Sequence, residues 1–390
     1  MPLELRQKER IPRGLKRVRE HFVGGNHIWL LRNGAEAFPS MLEAIEGAKR
    51  QVLLEMYWFA SDGIGRKFAR ALADAAARGV EVALIYDSLG SWESDFGMFE
   101  ELANAGVKVH EYNPVMPWHN RFRLAKMTRR DHRKILVVDG EIGFTGGINI
   151  ADHWQPDDQD GHAWRDDMAR LEGPVVAGLS GIFLRNWRRE TDVPLAVEPA
   201  AGMPKQSGPQ KVRVLGENFA RHRREIVHAY LKNLYRAERR VWIANSYFVP
   251  DRMVVRALKR AARRGADVRV LVPGVSDVEI VRHASRAVWG GLMRHGVRVF
   301  EWQRNMLHAK TAVIDGRWST IGTFNMDARS LRSNLEVNVA VSDEGFAAVM
   351  EQSFERDLEV SREVDSREFL FRPLGDRLLE LIFYRFRKLL

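Results

Sequence analysis

Short apolar runs rich in β-branched residues alternate along the chain with longer segments in which apolar residues return every three or four positions. The short runs predict strands, and the longer segments predict amphipathic helices. Three helices and three strands alternate in the first half, and the second half repeats the same order. The predicted elements are helix 38–48, strand 51–59, helix 65–78, strand 81–86, helix 98–105 and strand 107–112, then helix 226–237, strand 240–248, helix 253–264, strand 267–272, helix 281–295 and strand 297–302.

This repeat indicates that one α/β unit occurs twice. Glycine follows the matching helices in both copies, Gly79 with Gly265 and Gly106 with Gly296, as C-cap chemistry expects. Helices that alternate with short strands are typical of layered α/β domains. We therefore predict the α/β class, with the layered domain built twice.

Prolines and charge mark the boundaries between the predicted parts. The segment between the repeats contains four prolines and few apolar residues, which predicts a linker. One asymmetry separates the halves, because the first contains an extra basic and aromatic segment at 114–130. The predicted parts are a basic N-terminal arm at 1–24, a first half at 25–190, a linker at 191–210, a second half at 211–360 and an amphipathic tail at 361–390.

Composition narrows the classes of function. The chain has 390 residues, of which 45% are hydrophobic, so each half can bury a full core. Cysteine is absent, which excludes disulfides, thiolate nucleophiles and cysteine zinc sites. The net charge of +10 favours an anionic partner, either nucleic acid or acidic lipid headgroups. We expect no signal peptide in the charged first 24 residues, and no uncharged run reaches the roughly 20 residues that span a bilayer.

A set of five residues recurs with identical spacing at matching places in the two halves. It consists of a histidine, a lysine two positions later, an aspartate, a glycine and an asparagine. The copies are His132, Lys134, Asp139, Gly146 and Asn149, and His308, Lys310, Asp315, Gly322 and Asn325. Two such copies in a chain of this length are far beyond chance. They predict one site to which both halves contribute.

The residue types of this set suit the chemistry of a phosphodiester. Alternation along a strand places His132 and Lys134 on one face. Lys134, Lys310, Asn149 and Asn325 can donate to the non-bridging oxygens and neutralise their charge. Of two imidazoles that face one phosphate, one can attack phosphorus and the other can protonate the leaving alcohol. We expect no metal and no cofactor, because no cluster of metal-ligating residues lies near these strands.

The acidic residues near the motifs admit different roles. Asp139 and Asp315 are candidate catalytic residues, but each precedes a glycine between two apolar runs, and a hairpin turn explains them equally well. Asp166 and Glu336 occupy matching places downstream of the motifs. A carboxylate behind each imidazole would fix its tautomer and raise its basicity. We therefore expect Asp166 and Glu336 to orient the histidines.

These residues resemble the phospholipase D superfamily, whose signature is H-x-K-x4-D-x6-G-x2-N in two copies, over about residues 25–360. The resemblance implies two α-β-α sandwich halves, packed about a pseudo-twofold axis around one shared active site, and a phosphohistidine intermediate. It assigns the nucleophile to His132, and the general acid and then base to His308, although the near-symmetry of the halves leaves this order open. It also assigns Asp166 and Glu336 as the acids that support the histidines.

Within this superfamily the chain is most similar to bacterial cardiolipin synthases of the short type without N-terminal membrane spans. Segments 164–174, 246–250 and 334–338 carry this similarity. The sequence departs from the family pattern at the residue after each motif glycine. The family often has serine there, and this chain has Gly147 and Thr323. The similarity implies phosphatidyl transfer that forms cardiolipin from phosphatidylglycerol plus phosphatidylglycerol or phosphatidylethanolamine.

The tail bears on the choice between lipid and nucleic acid. Treated as a helix, residues 376–390 place most of their apolar side chains on one arc and most of their charges on the other. Such a helix lies on an anionic membrane surface or packs on the protein's own core. The extra segment 114–130 is similarly either a lipid-facing lip beside His132 or a solvated basic loop.

Alternatives to a phosphatidyltransferase are a phospholipase D-type hydrolase of phospholipids, a phosphodiesterase or nuclease of the same superfamily, and a non-catalytic membrane scaffold. Because the sequence shows no nucleic-acid-binding module, we expect no nucleic-acid partner. The expected partners are an anionic phospholipid membrane surface, phosphatidylglycerol and phosphatidylethanolamine. The expected location is peripheral, at the cytoplasmic face of the bacterial cell membrane.

Overall fold

The computed structural model describes residues 20–124, 127–155, 163–195, 206–216 and 225–387. Most of the predicted basic arm, and residues 196–205 of the predicted linker, lie outside the described residues. The described strands are β1 (Val23–Arg32), β2 (Gln51–Met56), β3 (Glu81–Asp87), β4 (Lys108–Tyr112), β5 (Ile135–Val138), β6 (Ile142–Gly146), β7 (Asp167–Glu172), β8 (Gln210–Gly216), β9 (Arg240–Asn245), β10 (Asp267–Pro273), β11 (Val297–Trp302), β12 (Lys310–Ile314), β13 (Trp318–Gly322), β14 (Val337–Ser342) and β15 (Ser361–Glu363). The described α-helices are α1 (Asn33–Glu46), α2 (Gly63–Ala77), α3 (Phe96–Asn104), α4 (Val176–Glu190), α5 (Glu225–Arg236), α6 (Arg252–Arg263), α7 (Glu279–Met293), α8 (Ala328–Arg332), α9 (Glu344–Glu359), α10 (Ser366–Leu370) and α11 (Leu374–Arg385).

All described strands belong to one sheet in which the second half mirrors the first. From the centre outward, the first half runs β1-β7-β6-β5-β2-β3-β4, and the second runs β8-β14-β13-β12-β9-β10-β11, followed by β15. Strands β1 and β8 pair antiparallel at the centre and join the halves. In each half three successive strands are parallel, β2 to β4 and β9 to β11. The α/β class and the duplication are therefore confirmed.

Local signals set the ends of the helices close to their predicted positions. The side chains of Asp62 and Asp251 accept hydrogen bonds from backbone N–H groups in the first turns of α2 and α6. Gly79 and Gly265 follow these helices with φ of +86° and +93°, which favours glycine because no Cβ clashes there. The helices of the two halves consequently start and stop at matching places.

Helices cover both faces of the sheet, and the halves share part of their core. Helices α1 to α3 and α5 to α7 pack on one side of their own halves. On the other side, α4 of the first half contacts β8, and α9 of the second half contacts β1. One apolar cluster contains side chains from both halves, including Phe183 of α4 and Ala347 of α9. This common core fixes the halves relative to each other.

A buried ionic network adds directional contacts between the halves. The guanidinium of Arg165, just before β7, donates from Nε to both carboxylate oxygens of Asp357 on α9, at 2.9 and 3.1 Å. Its Nη1 donates to Asp167 at 2.6 Å. Breaking a buried, hydrogen-bonded pair of this kind is costly because it strands a charge. The network therefore holds α9 beside the segment that contains Asp166.

Candidate active site

Each motif folds as a strand, a tight turn and a returning strand. β5 pairs with β6, and β12 pairs with β13. The turns contain Asp139–Gly140 and Asp315–Gly316, and all four residues have positive φ, between 55° and 69°. Two successive residues with positive φ match a type I′ hairpin, which Asp-Gly favours. The predicted hairpins are therefore present in both halves.

The aspartates of these turns bind backbone rather than the site. Asp139 accepts hydrogen bonds from the N–H groups of residues 49–51 at 2.7 to 2.9 Å. Asp315 binds residues 238–240 in the same way. Each turn lies at the far end of its strand from the histidine. These contacts favour the turn interpretation of Asp139 and Asp315, which anchor the hairpins to the starts of β2 and β9.

Two short parallel bridges carry each histidine motif to the other half. The N–H of His132 donates to the carbonyl oxygen of Leu335 at 3.0 Å, and the N–H of Leu335 donates to Arg130 at 2.9 Å. The N–H of His308 donates to the carbonyl oxygen of Arg165 at 2.7 Å. Because Leu335 and Arg165 immediately precede the two downstream acids, these bridges deliver each acid to the histidine of the opposite half.

Both imidazoles hydrogen-bond a buried carboxylate across the interface. The distance from His132 Nδ1 to Glu336 Oε2 is 3.0 Å, and that from His308 Nδ1 to Asp166 Oδ2 is 2.7 Å. An ionised carboxylate only accepts hydrogen bonds, so Nδ1 carries the proton in each neutral ring. This tautomer leaves the lone pair on Nε2. The two acids that the sequence singled out are thus placed to orient the histidines, in crossed pairs.

The motif lysines lie buried beside the histidines. Nζ of Lys134 donates to the carbonyl oxygen of His132 at 2.8 Å, and Nζ of Lys310 donates to that of His308. Burial, and then repulsion from Lys310, lowers the pKa of Lys134 to about 7. Burial lowers the pKa of Lys310 to about 8. Mainly through burial, and then through the charges of both lysines, each histidine also has a pKa below its usual value. The four basic groups therefore act on one site, which favours an anion.

The motif asparagines are held by their carbonyl oxygens. Asn149 Oδ1 accepts from the N–H of Trp58 at 3.2 Å, and Asn325 Oδ1 accepts from the hydroxyl of Ser246 at 2.9 Å. Both hydrogen bonds orient the side-chain amide so that its NH₂ points the other way. Within the described residues this leaves Nδ2 of each asparagine available as a donor.

Comparisons with known proteins agree with this duplicated site. The family described as "Cardiolipin synthase, PLD-like domain" matches residues 41–157 and 230–358. The chain belongs to this family. It is 35% identical over 362 residues to a cardiolipin synthase of Geobacillus sp. (strain WCH70), covering 90% of this chain and 70% of the relative. It is 36% identical over 372 residues to cardiolipin synthase A of Pseudomonas putida, covering 92% and 75%.

A solved structure shows the same fold. The phosphatidylserine synthase of Haemophilus influenzae Rd KW20 superposes with a TM-score of 0.70, covering 93% of this chain and 95% of the other. The sequence identity is 14%, so this likeness concerns the fold alone.

The departure of this PLD-like chain after the motif glycine has a steric reason. A Cβ on Gly147 would lie 2.2 Å from Oδ1 of Asp166, so any side chain there would displace the carboxylate. At the matching place Thr323 donates its hydroxyl to Glu336 at 2.5 Å. Asp166 instead accepts from Trp154 Nε1 at 3.2 Å and from the N–H of Asp167 at 2.8 Å. The hydroxyl that the first half lacks is thus replaced by an indole and a backbone donor.

The two orienting acids differ in their electrostatics. Burial raises the pKa of Asp166 to about 6. Burial would also raise the pKa of Glu336, but the charge of His132 and the hydrogen bonds from His132 and Thr323 outweigh it and lower that pKa. Glu336 therefore stays ionised over a wider pH range than Asp166. The near-symmetric halves consequently give their histidines unequal partners.

Aromatic rings surround the histidines, and the sequence did not indicate that they belong to the site. The ring of Tyr57 lies 4.9 Å from that of His132, and Tyr247 lies 6.5 Å from His308, centroid to centroid. Trp154 and Trp164 lie 5.4 and 5.5 Å from His308. Tyr57 directly follows the parallel strand β2, and Tyr247 lies two residues after the end of the parallel strand β9. Sites in α/β proteins form at the carboxyl ends of such strands. The position of the two tyrosines could therefore have indicated that they belong to the site.

Proposed function

We infer that this chain catalyses phosphatidyl transfer between phospholipids through a phosphohistidine, and forms cardiolipin. The observation that carries the proposal is the pair of buried imidazoles, each hydrogen-bonded to a carboxylate from the opposite half and each with a buried motif lysine beside it. Its relatives of about 35% identity over 90% of the chain are cardiolipin synthases, which supports phospholipid substrates. The lipids we propose are phosphatidylglycerol as acceptor, and phosphatidylglycerol or phosphatidylethanolamine as donor.

In the first step Nε2 of His132 attacks phosphorus of the donor. The bond to the headgroup oxygen breaks, and that oxygen takes a proton from Nε2 of the His308 imidazolium, the form that the bound phosphate anion favours, as the headgroup alcohol leaves. Lys134, Lys310 and the amides of the motif asparagines bind the non-bridging oxygens, on which charge accumulates in the transition state. The phosphatidyl group is then bonded to His132.

In the second step the enzyme transfers this group to an acceptor alcohol. His308, now neutral, removes the hydroxyl proton of phosphatidylglycerol, and the alkoxide oxygen attacks phosphorus. The bond from phosphorus to His132 Nε2 breaks, which releases cardiolipin and restores both histidines. Water in place of the lipid alcohol gives phosphatidic acid by the same route. Exclusion of water from the buried site therefore decides between transfer and hydrolysis.

We also propose that the enzyme works at the surface of an anionic membrane, at its cytoplasmic face. Among the described helices, none combines the length and the apolar character needed to cross a bilayer. The net charge of +10 favours a surface that contains anionic lipids, because lysine and arginine near such a surface each contribute about 1 kcal/mol of attraction.

The test is incubation with phosphatidylglycerol labelled in both its headgroup and its acyl chains, alone and with phosphatidylethanolamine, followed by separation of the products. We expect cardiolipin together with released glycerol. The His132→Ala and His308→Ala variants serve as controls, and each should abolish turnover of natural lipids. Phosphatidic acid as the only product would refute the transferase while leaving the phosphohistidine chemistry in place.

A further inference from the structure

Helix α11 docks on the protein through the side that carries Glu380. Glu380 is its one buried residue within the described part, with 1% of its surface exposed. The Glu380 carboxylate accepts from Arg286 of α7 at 3.1 Å and forms an ion pair with Arg372, which precedes the helix. Phe383 stacks on His283 of α7. The ion pairs of Glu380 and this aromatic contact therefore anchor the helix on the protein.

The opposite side of α11 exposes its large apolar side chains. At 100° per residue these side chains cover an arc of about 160°. Leu378 and Leu381 are 60% and 63% exposed. The apolar residues exposed on this arc and at its ends are Phe371, Leu374, Leu378, Leu379, Leu381, Ile382 and Phe386. Contiguous exposed apolar surface of this kind marks an interaction site.

A basic groove opens beside this helix, between α6, α7 and α11. Its volume is about 500 Å³, and its lining includes Tyr384 of α11 and His295 after α7. Among the described residues, no acidic side chain lines the groove. The other lining residues belong to α6: Arg252, Val255, Arg256, Lys259, Arg260 and Arg263.

The cations of the groove repel one another. Helix α6 holds five basic and no acidic residues, and neighbours at i and i+4 such as Arg252 and Arg256 destabilise an isolated helix by about 0.2 to 0.5 kcal/mol per pair. Burial, then the charges of Arg294 and Arg263, lowers the pKa of Lys259. Four of these cations form no ion pair with any described residue: Arg252, Arg256, Lys259 and Arg263. An anion in the groove would relieve this repulsion.

We propose that the groove binds the phosphate of an anionic phospholipid headgroup while the exposed side of α11 inserts into the same membrane leaflet. This site is separate from the histidine site, and it rests on the proposed function only in that phospholipids are the substrates. The phosphate would lie between the guanidinium groups of α6 and the ring of Tyr384. Membrane attachment would then depend on anionic lipid at a place that takes no part in the chemistry.

The juxtaposition of the two surfaces selects a lipid over other anions. A nucleic acid would use the arginines, but the apolar arc of α11 would stay exposed to water beside it. A second copy of the chain would cover the apolar arc but would bring the same positive charge to the groove. An anionic membrane satisfies both surfaces at once, because it offers phosphates at the depth of the arginines and acyl chains at the depth of the leucines.

The experiment is flotation of the full-length protein with vesicles of phosphatidylcholine alone, or with phosphatidylglycerol added. Wild type should float only with the anionic vesicles. Arg256→Glu/Arg263→Glu, at two exposed groove positions, should weaken binding by roughly tenfold to a hundredfold. The matched control is Lys67→Glu/Arg70→Glu, at exposed positions on α2, the counterpart of α6 in the first half, and it should bind like wild type. Leu378→Gln/Leu381→Gln should weaken binding with the groove intact.

Several results would overturn the proposal. If the α2 control loses as much vesicle binding as the groove variant, the net charge of the protein, and not the groove, attracts the membrane. Unchanged vesicle binding of the groove variant would exclude the site. A labelled oligonucleotide that binds wild type but not the groove variant, with vesicle binding intact, would assign the groove to nucleic acid. If Leu378→Gln/Leu381→Gln converts a dimer to a monomer without loss of vesicle binding, the apolar arc is a subunit interface.

An activity measurement separates this proposal from the proposed function. In mixed micelles of detergent and phosphatidylglycerol, where substrate reaches the enzyme without membrane attachment, the groove variant should form cardiolipin at the wild-type rate. Absence of cardiolipin with the wild type would refute the proposed function while the flotation result stands. A groove variant that is inactive in micelles would place the groove in the catalytic site.

Discussion

At the scale of single residues, the site depends on carboxylates that the chain supplies from the far half. Glu336 accepts from His132, and Asp166 accepts from His308. Each acid fixes Nδ1 as the protonated nitrogen and raises the basicity of Nε2, the atom that reacts in the proposed mechanism. A substitution in one half should therefore damage the chemistry of the histidine in the other.

For Glu336→Gln we expect kcat to fall by about 10- to 100-fold, because the amide no longer stabilises the charged imidazole. Cardiolipin formation in mixed micelles measures it. The matched control is Glu301→Gln, the same change at a buried glutamate whose partners are Arg286 and Arg362. Thermal unfolding of both variants monitors the fold. Equal losses of kcat in the two variants would contradict an orienting role for Glu336.

The order of the histidines can be tested with a donor that needs no acid. Nitrophenolate leaves without a proton, so a phosphatidyl nitrophenyl ester bypasses the general acid. With this donor His308→Ala should release about one equivalent of nitrophenol per enzyme, and His132→Ala should release none. Stopped-flow absorbance measures the burst. The reverse pattern would make His308 the nucleophile.

The buried lysines predict how the site responds to pH. Burial lowers the pKa values of Lys134 and Lys310 to about 7 and 8, so both lose protons as the pH rises from 6 to 9. A bound oxyanion favours the charged form and raises both pKa values, so binding at pH 7.5 takes up protons. Above the pKa of each lysine, the loss of its proton should weaken the affinity for the oxyanion by up to about tenfold per pH unit.

Calorimetry of tungstate binding in buffers of different ionisation enthalpy checks this prediction. Proton uptake should be positive at pH 7.5 and smaller in Lys310→Gln. Uptake of zero in the wild type would mean that both lysines stay charged in the empty site.

The sequence predicted which residues come together in the candidate site but not how they pair. The spacing of two copies identified His132 and His308, and matching positions identified Asp166 and Glu336. A repeat contains no information on whether each acid serves its own copy, because that depends on the bridges between Leu335 and the His132 segment. The aromatic ring of Tyr57 was missed because an aromatic residue after a strand also fits a core.

At the scale of elements, the hairpin aspartates should contribute to stability rather than rate. Asp139 satisfies three backbone N–H groups, and a lost partner costs about 1 to 3 kcal/mol per stranded donor, less where water replaces it. We expect Asp139→Ala to lower the free energy of unfolding by at least about 1 kcal/mol with kcat per folded molecule unchanged. Asp139→Asn keeps one acceptor and tolerates the positive φ of 55°, so it should lose less. A fall in kcat without loss of stability would restore the catalytic interpretation.

Predicted and observed elements differ where strands run into the site. The strand predicted at 51–59 ends at Met56, although its apolar pattern continues. The reason is that side-chain oxygens take the place of backbone carbonyl groups as acceptors. The N–H of Trp58 donates to Asn149, and that of Phe59 donates to Ser91. For helix α11 the sequence left both orientations open, and the buried ion pairs of Glu380 hold its Glu380 side against the protein. The periodicity of a helix shows that one side is apolar and the other charged. It does not show which of the two sides packs against the protein.

At the scale of the whole molecule, one chain supplies every group of one site. Both imidazoles and both acids come from halves that share a core and pair through β1 and β8. Full-length His132→Ala and His308→Ala variants, when mixed, should therefore stay inactive, because neither molecule can lend its intact half to the other. Turnover in the mixture, measured as cardiolipin formed, would instead indicate that halves exchange between chains.

The β-bridge that brings Leu335 against the His132 segment also determines when the site can form during synthesis of the chain. His132 and Glu336 lie 204 positions apart in the chain. At a synthesis rate of about 5 to 20 residues per second, His132 leaves the ribosome roughly 10 to 40 seconds before its acid exists. A nascent or truncated chain therefore carries an imidazole without its partner, and the enzyme becomes competent only near the end of translation.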